Sequence, residues 1–177
     1  MQFSLEQFPE VLHPLLRAFD IDFAPKRPPA TSMVAVATLV AIVLSLAADW
    51  GLAKIGIAVY PDQRNYQHFQ FGEYAKLTII GILGAGVAWP IVARISSKAK
   101  RLYFKLEVIV VLVTFLPDIA IWWLGQPATA VFVLVWMHVA IAVITYPVIV
   151  ILAPVRSHPQ GQASTNGKSE VASVDPS

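Results

Sequence analysis

The chain has 177 residues, 56% of them hydrophobic and 14% charged, with a mean hydropathy of +0.64 and a formal charge of +2. A soluble domain averages about 45–50% apolar and about 25% charged residues, so this composition points to a lipid bilayer as the solvent. The small net charge argues against nucleic acid as a partner. The absence of cysteine excludes disulfides, thiolate metal sites and the thiol chemistry of four-helix quinone-linked oxidoreductases.

In hydrocarbon the backbone closes its own hydrogen bonds, so the long apolar runs of this sequence predict helices. The expected fold is all-α, a four-transmembrane-helix bundle of one domain. An N-terminal amphipathic interfacial segment precedes it and a disordered C-terminal tail follows.

Residues 1–29 lack the basic start, apolar core and small-residue cleavage site of a signal peptide. Phe8, Leu12, Leu15, Leu16 and Phe19 recur at helical spacing, with Glu10, Arg17 and Asp20 between them. That pattern suits a helix lying in the membrane interface, or a docking segment for a partner protein. Pro9 fits its first turn, whereas Pro14 is expected to kink or break it. Pro25-Lys26-Arg27-Pro28-Pro29 reads as a linker whose cations suit anionic headgroups.

The transmembrane domain is expected over residues 30–153, with spans at about 31–60, 74–95, 106–124 and 128–152. Pro61 closes the first span. Residues 61–73 form a polar loop with aromatic residues suited to a headgroup belt, and Trp122-Trp123 ends the third span in the same way. Gly125-Gln126-Pro127 is a tight turn. Residues 154–177, rich in Ser, Gly, Gln and Pro, read as a disordered cytoplasmic tail.

Charge asymmetry gives the expected orientation. Arg17, Lys26, Arg27, Arg94, Lys98, Lys100, Arg101, Lys105, Arg156 and Lys168 fall on one side, and Lys54, Arg64 and Lys76 on the other. The basic-rich side faces the cytoplasm by the positive-inside rule, so both termini are expected there, in an inner (plasma) membrane.

Polar groups at membrane depth cost roughly 2.5–3.5 kcal/mol each for Asp, Lys or Arg on insertion scales. Lys54, near the outer end of its span, and Glu107, near the inner end of its own, can reach the interface by snorkelling and need no function. Asp49, Asp118 and His138 are the candidate intramembrane site. At 1.5 Å per residue, Asp118 lies roughly 10 Å and His138 roughly 16 Å below the outer surface, with Asp49 at similar depth to His138. Asp49 and His138 are thus candidates for a buried pair, read as a proton relay, as a cation site, or as a hydrogen bond that fixes helix register. The structural reading weighs more, because the cytoplasmic half of the sequence offers almost no further ionisable groups. One intramembrane His and two separated Asp lack metal-ligand spacing, and His13, His68 and His158 lie in other segments, so no metal and no cofactor are expected.

Gly81, Gly84 and Ala85 form a small-residue face for close helix packing, inside the bundle by default or against another subunit. Pro90, Pro117 and Pro147 free backbone carbonyls within their spans. No nucleophile motif, phosphate loop or dinucleotide fingerprint is present, and Gly84-Ala85-Gly86 has no strand before it, so no enzymatic activity is expected.

The run Leu116-Pro117-Asp118, the short turn after it, Val135-Trp136-Met137-His138-Val139-Ala140 and Pro147 together resemble a family of small actinobacterial integral membrane proteins known mainly as a domain of unknown function. The resemblance spans about residues 31–152. It implies four spans, an Asp or Asn toward the outer part of span one, a Met-His pair in span four and a mycobacterial or related envelope context. It implies no reaction. The expected role is a non-enzymatic accessory or scaffold subunit of a larger cell-envelope complex such as a lipid or solute transporter, with a membrane-protein partner or as a homo-oligomer. The alternative is a small proton-coupled transporter or pH-responsive protein using Asp49, Asp118 and His138, similar to small multidrug exporters in carrying an acid in its first span.

Overall fold

The computed structural model describes residues 9, 12–21, 28–64 and 66–155. The C-terminal tail, the Lys26-Arg27 part of the linker and most residues before Leu12 lie outside the described residues. Those described are all-α: α1 (His13–Ala18), α2 (Thr31–Val59), α3 (Phe71–Ile95), α4 (Ala99–Trp123) and α5 (Ala128–Leu152). The four long helices run up and down in order, α2 packing on α3 and α5, and α4 on α3 and α5. Three of them, α2, α3 and α5, are long and apolar enough to cross a membrane. The fourth, α4, has the same 25 residues as α3 and α5 but carries Glu107 and Asp118 among its apolar residues.

Helix ends depart from the hydropathy pattern in informative ways. Pro61 ends α2 by disfavouring helical geometry at Tyr60, which sits at φ −126° and ψ 79°. The largest departure is α4, expected from 106 and found from Ala99. Hydropathy marks where a helix enters apolar surroundings; the good helix formers of Ala99-Lys100-Arg101-Leu102 extend it into the polar region. The α3–α4 connection is therefore three residues, 96–98.

Two apolar cores hold the bundle. One, at the end where residues 19–21 and 153–155 lie, gathers Ala37 of α2, Trp89, Val92 and Ala93 of α3, Leu102 and Tyr103 of α4, and Ile149 of α5. Trp89 is fully buried, donates Nε1–H to the Ala153 carbonyl at 2.7 Å, and meets Tyr103 edge-on at 5.0 Å. The other core gathers Ala53, Phe69, Tyr74, Ala130, Val133 and Met137. Phe69 and Tyr66 of the 61–70 connection turn into the bundle rather than outward into a belt, and Phe69 is 7% exposed. Phe71, Trp122 and Trp123 do face outward.

The closest helix approach uses Gly86, not the expected Gly81 and Gly84. A Cβ at Gly86 overlaps Thr38 Oγ1, whose hydroxyl donates to the Val34 carbonyl at 2.8 Å. Gly81 and Gly84 are exposed with nothing beside them, while Ala85 is half-buried against the core. The glycine face expected to pack within the bundle thus points outward, because α2 and α4 contact α3 along Thr78, Ile82, Gly86 and Trp89. Gly86→Ala should cost about 1–3 kcal/mol through overpacking. Thr38→Ala in the same chain should restore most of it, a coupling readable as thermal unfolding of the single and double variants in detergent.

The N-terminal segment docks on the bundle. Pro14 falls in the first turn of α1, where its missing N–H has no intrahelical partner to lose, so it starts the helix instead of breaking it. The helix stops in a Schellman motif: Ile21 N–H bonds the Leu16 carbonyl at 2.8 Å across Asp20, which adopts φ 54°. That turn aims the Asp20 carboxylate at Lys98 (2.9 Å) and Lys105 (3.0 Å), while Ser96 Oγ donates to the Asp20 carbonyl at 2.5 Å. Phe19 and Ile21 pack on the Trp89 core. The segment expected to lie along the interface is therefore, over its described residues, a clamp on the α3–α4 turn.

Hydrogen bonds from Lys98 and then Lys105 hold the Asp20 carboxyl below the usual carboxylate range. A depressed folded value means the clamp's charge contribution is complete above the ordinary Asp value of about 3.9 and is lost as pH falls through the lower folded value. Amide exchange at Phe19–Ile21 should accelerate below that range, and at neutral pH in Asp20→Ala.

Candidate functional site

Between the two apolar cores lies a polar layer, placed there by helical periodicity. On α2 the inward positions are Ala37, Thr38, Ala41, Ser45, Asp49, Ala53 and Gly56, so the only buried acid of this helix shares the core face with Ser45 four residues earlier. Asp49 is fully buried and accepts a hydrogen bond from Thr78 Oγ1 of α3 at 2.7 Å. On α4 the buried residues are Ala99, Leu102, Tyr103 and Asp118, so the far half of that helix buries a carboxylate and no apolar anchor. Asp118 is 5% exposed, and its Oδ2 lies 3.1 Å from His138 Nδ1 of α5.

His138 is positioned through its Nδ1. Its Nδ1 faces two acceptors, the Leu134 carbonyl at 3.0 Å and Asp118 Oδ2 at 3.1 Å. A nitrogen between two acceptors carries the proton. The proton is aligned with Leu134, and Asp118 Oδ2 has no aligned donor of its own, so the carboxylate contact is electrostatic. The His138 and Asp49 charges are also near enough to interact.

All three expected site residues therefore meet at one level, but with different partners from those anticipated. His138 pairs with Asp118 and Asp49 with Thr78, where sequence depth alone favoured an Asp49–His138 pair. The difference is angular: depth counts residues along each helix, whereas α5 packs on both α2 and α4 and turns the His138 Nδ1 toward Asp118 of α4.

Further buried polar groups lie on either side of this layer. Toward the 61–70 connection, the Tyr66 hydroxyl is buried without a hydrogen-bond partner, and burial together with the neighbouring Asp118 charge raises its phenol above the ordinary tyrosine range. Toward the Trp89 core, the buried hydroxyls of Ser45 and Thr145 and Oε2 of Glu107 also lack partners. Glu107, expected to snorkel to the interface, is eight residues inside α4, about 12 Å from its first residue. Lys54 is exposed, with its ammonium 5.8 Å from the Trp50 ring.

Sequence reading missed Thr78, Ser45, Thr145, Tyr66 and the burial of Glu107. Ser45 and Thr145 carried a usable signal, lying four residues before Asp49 and seven after His138, on the same helix faces. Unpartnered buried polar atoms each cost about 1–3 kcal/mol. Among the described residues no group of three His, Cys, Asp or Glu is placed to hold a metal ion.

Residues 16–154 match a family described as Family of unknown function (DUF6069). The chain belongs to that family. The DUF6069 match takes in the Asp20 clamp, all four long helices and every member of the polar layer. No curated protein and no solved structure matches the chain. The chemistry of this DUF6069 member is therefore argued from its own residues.

Proposed function

We propose that this protein is a small proton-coupled transporter of the plasma membrane, with four spans, both termini cytoplasmic, and the Asp49–Asp118–His138 cluster as its proton-binding site. α4 is taken as the fourth span because it equals α3 and α5 in length and packs beside them. The concentration of basic residues at the end that carries residues 94–105 supports the orientation. The carrying observation is the 3.1 Å approach of Asp118 and His138 at membrane depth, next to an Asp49 held by a single hydroxyl. Two carboxylates and an imidazole in one dry layer are expensive as a packing device. Their joint charge changes by proton uptake, which is how such a site exchanges protons for a cation.

The test is reconstitution into liposomes that enclose a pH-sensitive dye, with an imposed pH gradient and candidate organic cations outside. Cation-dependent proton efflux from wild-type vesicles, lost in Asp118→Asn and His138→Gln, is the expected result. Flux indistinguishable from that of empty liposomes for every cation tried would remove the proposal.

One observation favours the accessory-subunit reading instead. Gly81 and Gly84 lie on an outward face of α3 with Leu77, Ile80 and Val87, the arrangement that lets a second transmembrane helix approach closely. Under that reading Gly84→Leu should release a stoichiometric membrane partner during mild-detergent purification and leave proton flux unaffected.

A further inference from the structure

Between α4 and α5 the outside of the bundle carries a groove of about 410 Å³. Phe104, Val108 and Leu112 recur every four residues along its α4 wall, and Val139, Val143 and Pro147 do so along its α5 wall. The lining is almost wholly apolar. Phe104, Val108, Leu112 and Val143 are all exposed, so the groove opens outward, where a bilayer would present its acyl chains. From Phe104 to Leu112 the α4 wall runs about 12 Å, a length suited to part of one chain.

The groove ends beside two cations. Tyr146, in its lining, donates its hydroxyl to the Lys100 carbonyl at 3.3 Å, and its ring meets Phe104 edge-on at 5.4 Å. Lys100 and Arg101 stand four and three residues before Phe104, which makes both its neighbours on the helix surface. Side chains on a helix tilt toward its N-terminus, so these two project past the end of the apolar wall rather than over it. They lie in the first turn of α4, an end that itself favours an anion. Both are exposed, and neither has an acid partner among the described residues. Nearby Lys98 and Lys105 are, by contrast, already held by Asp20. Glu107, the acid in the lining, lies six residues beyond Arg101, about 9 Å deeper along the helix, with its Oε2 withdrawn from solvent.

We propose that the groove and these two cations form a site for an anionic phospholipid, with an acyl chain along Phe104, Val108 and Val143 and the phosphate on Lys100 and Arg101. The apolar lining accepts a chain from any lipid. The headgroup decides between them, because a zwitterionic lipid brings its own cation to a place that is already positive, whereas an anionic one leaves its charge free to be matched. The site rests on α4 as a span, part of the reading above, and on none of the Asp49–Asp118–His138 atoms.

The experiment is photolabelling of the full-length protein in phosphatidylcholine nanodiscs that contain a small share of a probe lipid with a diazirine on its acyl chain. The probe is either phosphatidylglycerol or phosphatidylcholine, and labelled peptides are mapped by mass spectrometry. The phosphatidylglycerol probe should label peptides of 104–112 and 139–147 about ten-fold more than the phosphatidylcholine probe, a preference two surface cations can supply. Lys100→Gln with Arg101→Gln should bring the two probes level, and Lys54→Gln with Lys76→Gln, at the other end of the bundle, should leave the preference intact. All four positions are exposed, so these variants test the site without disturbing the core. Equal labelling by both probes in the wild-type protein means an ordinary acyl-chain contact; it overturns the proposal and leaves α4 as a span. A preference that survives Lys100→Gln with Arg101→Gln also overturns the proposal. Absence of label from 104–112 with either probe removes both the site and the span on which it rests.

Discussion

Asp118→Leu should lower thermal stability by about 1–3 kcal/mol and abolish proton flux, whereas Asp118→Asn should abolish flux at little cost in stability. The difference follows from what each change leaves at His138 Nδ1. Asn keeps an acceptor oxygen 3.1 Å from the ring nitrogen and a side chain of the same volume, so the α4–α5 contact survives. Leu removes the acceptor and leaves His138 with the Leu134 carbonyl alone, at the level where α4 has no other buried residue in its far half. Leu is also larger than Asp and branched differently, and a misfit of this kind in a packed layer carries a penalty of that size. Both variants remove the titrating carboxyl, so both should reduce flux more than ten-fold. Parallel differential scanning and liposome measurements separate the two effects. If Asp118→Asn retains full flux, the carboxyl group's role is packing.

Trp89→Ala should give the largest loss of stability, about 3–5 kcal/mol. Trp89 is fully buried at the centre of the core that joins all four long helices, and its indole N–H binds the Ala153 carbonyl, just past the last turn of α5. Its removal opens a cavity beside Tyr103, loses an edge-on aromatic contact and releases the end of α5. Trp89→Phe fills most of the volume without the N–H, so it should cost clearly less than Ala. Unfolding in nanodiscs, followed for both variants, tests the ranking.

Much of the fold was legible because the bilayer simplifies the problem. Apolar runs bounded by Pro61, by the basic stretch 94–105 and by Gly125-Gln126-Pro127 fixed the number and order of the long helices. The start of α4 was not legible from hydropathy, since Lys100, Arg101 and Lys105 are helical residues with polar surroundings. Depth along each span placed Asp49 and His138 at similar levels and Asp118 nearer the outer surface. Depth says nothing of rotation about the helix axis, which is why His138 pairs with Asp118 and why Gly86, not Gly81 or Gly84, meets Thr38. Glu107 was discounted from its nearness to a basic stretch; the seven additional residues of α4 place it well inside the helix. The Asp20 clamp had no local signal, because its partners Lys98 and Lys105 are distant in sequence and meet it only once α1 ends in its Schellman turn.

The account turns on whether the buried layer takes up and releases protons, and nitrogen NMR of the ¹⁵N-histidine protein in nanodiscs reads this at the ring itself. His138→Gln identifies the signal against those of the three other histidines. The expected spectra show Nδ1 protonated throughout, with Nε2 gaining and losing its proton across the same pH interval in which liposome flux changes. A His138 ring that keeps one protonation state over that interval would contradict the account and leave the Asp118–His138 contact as a device for holding α4 against α5.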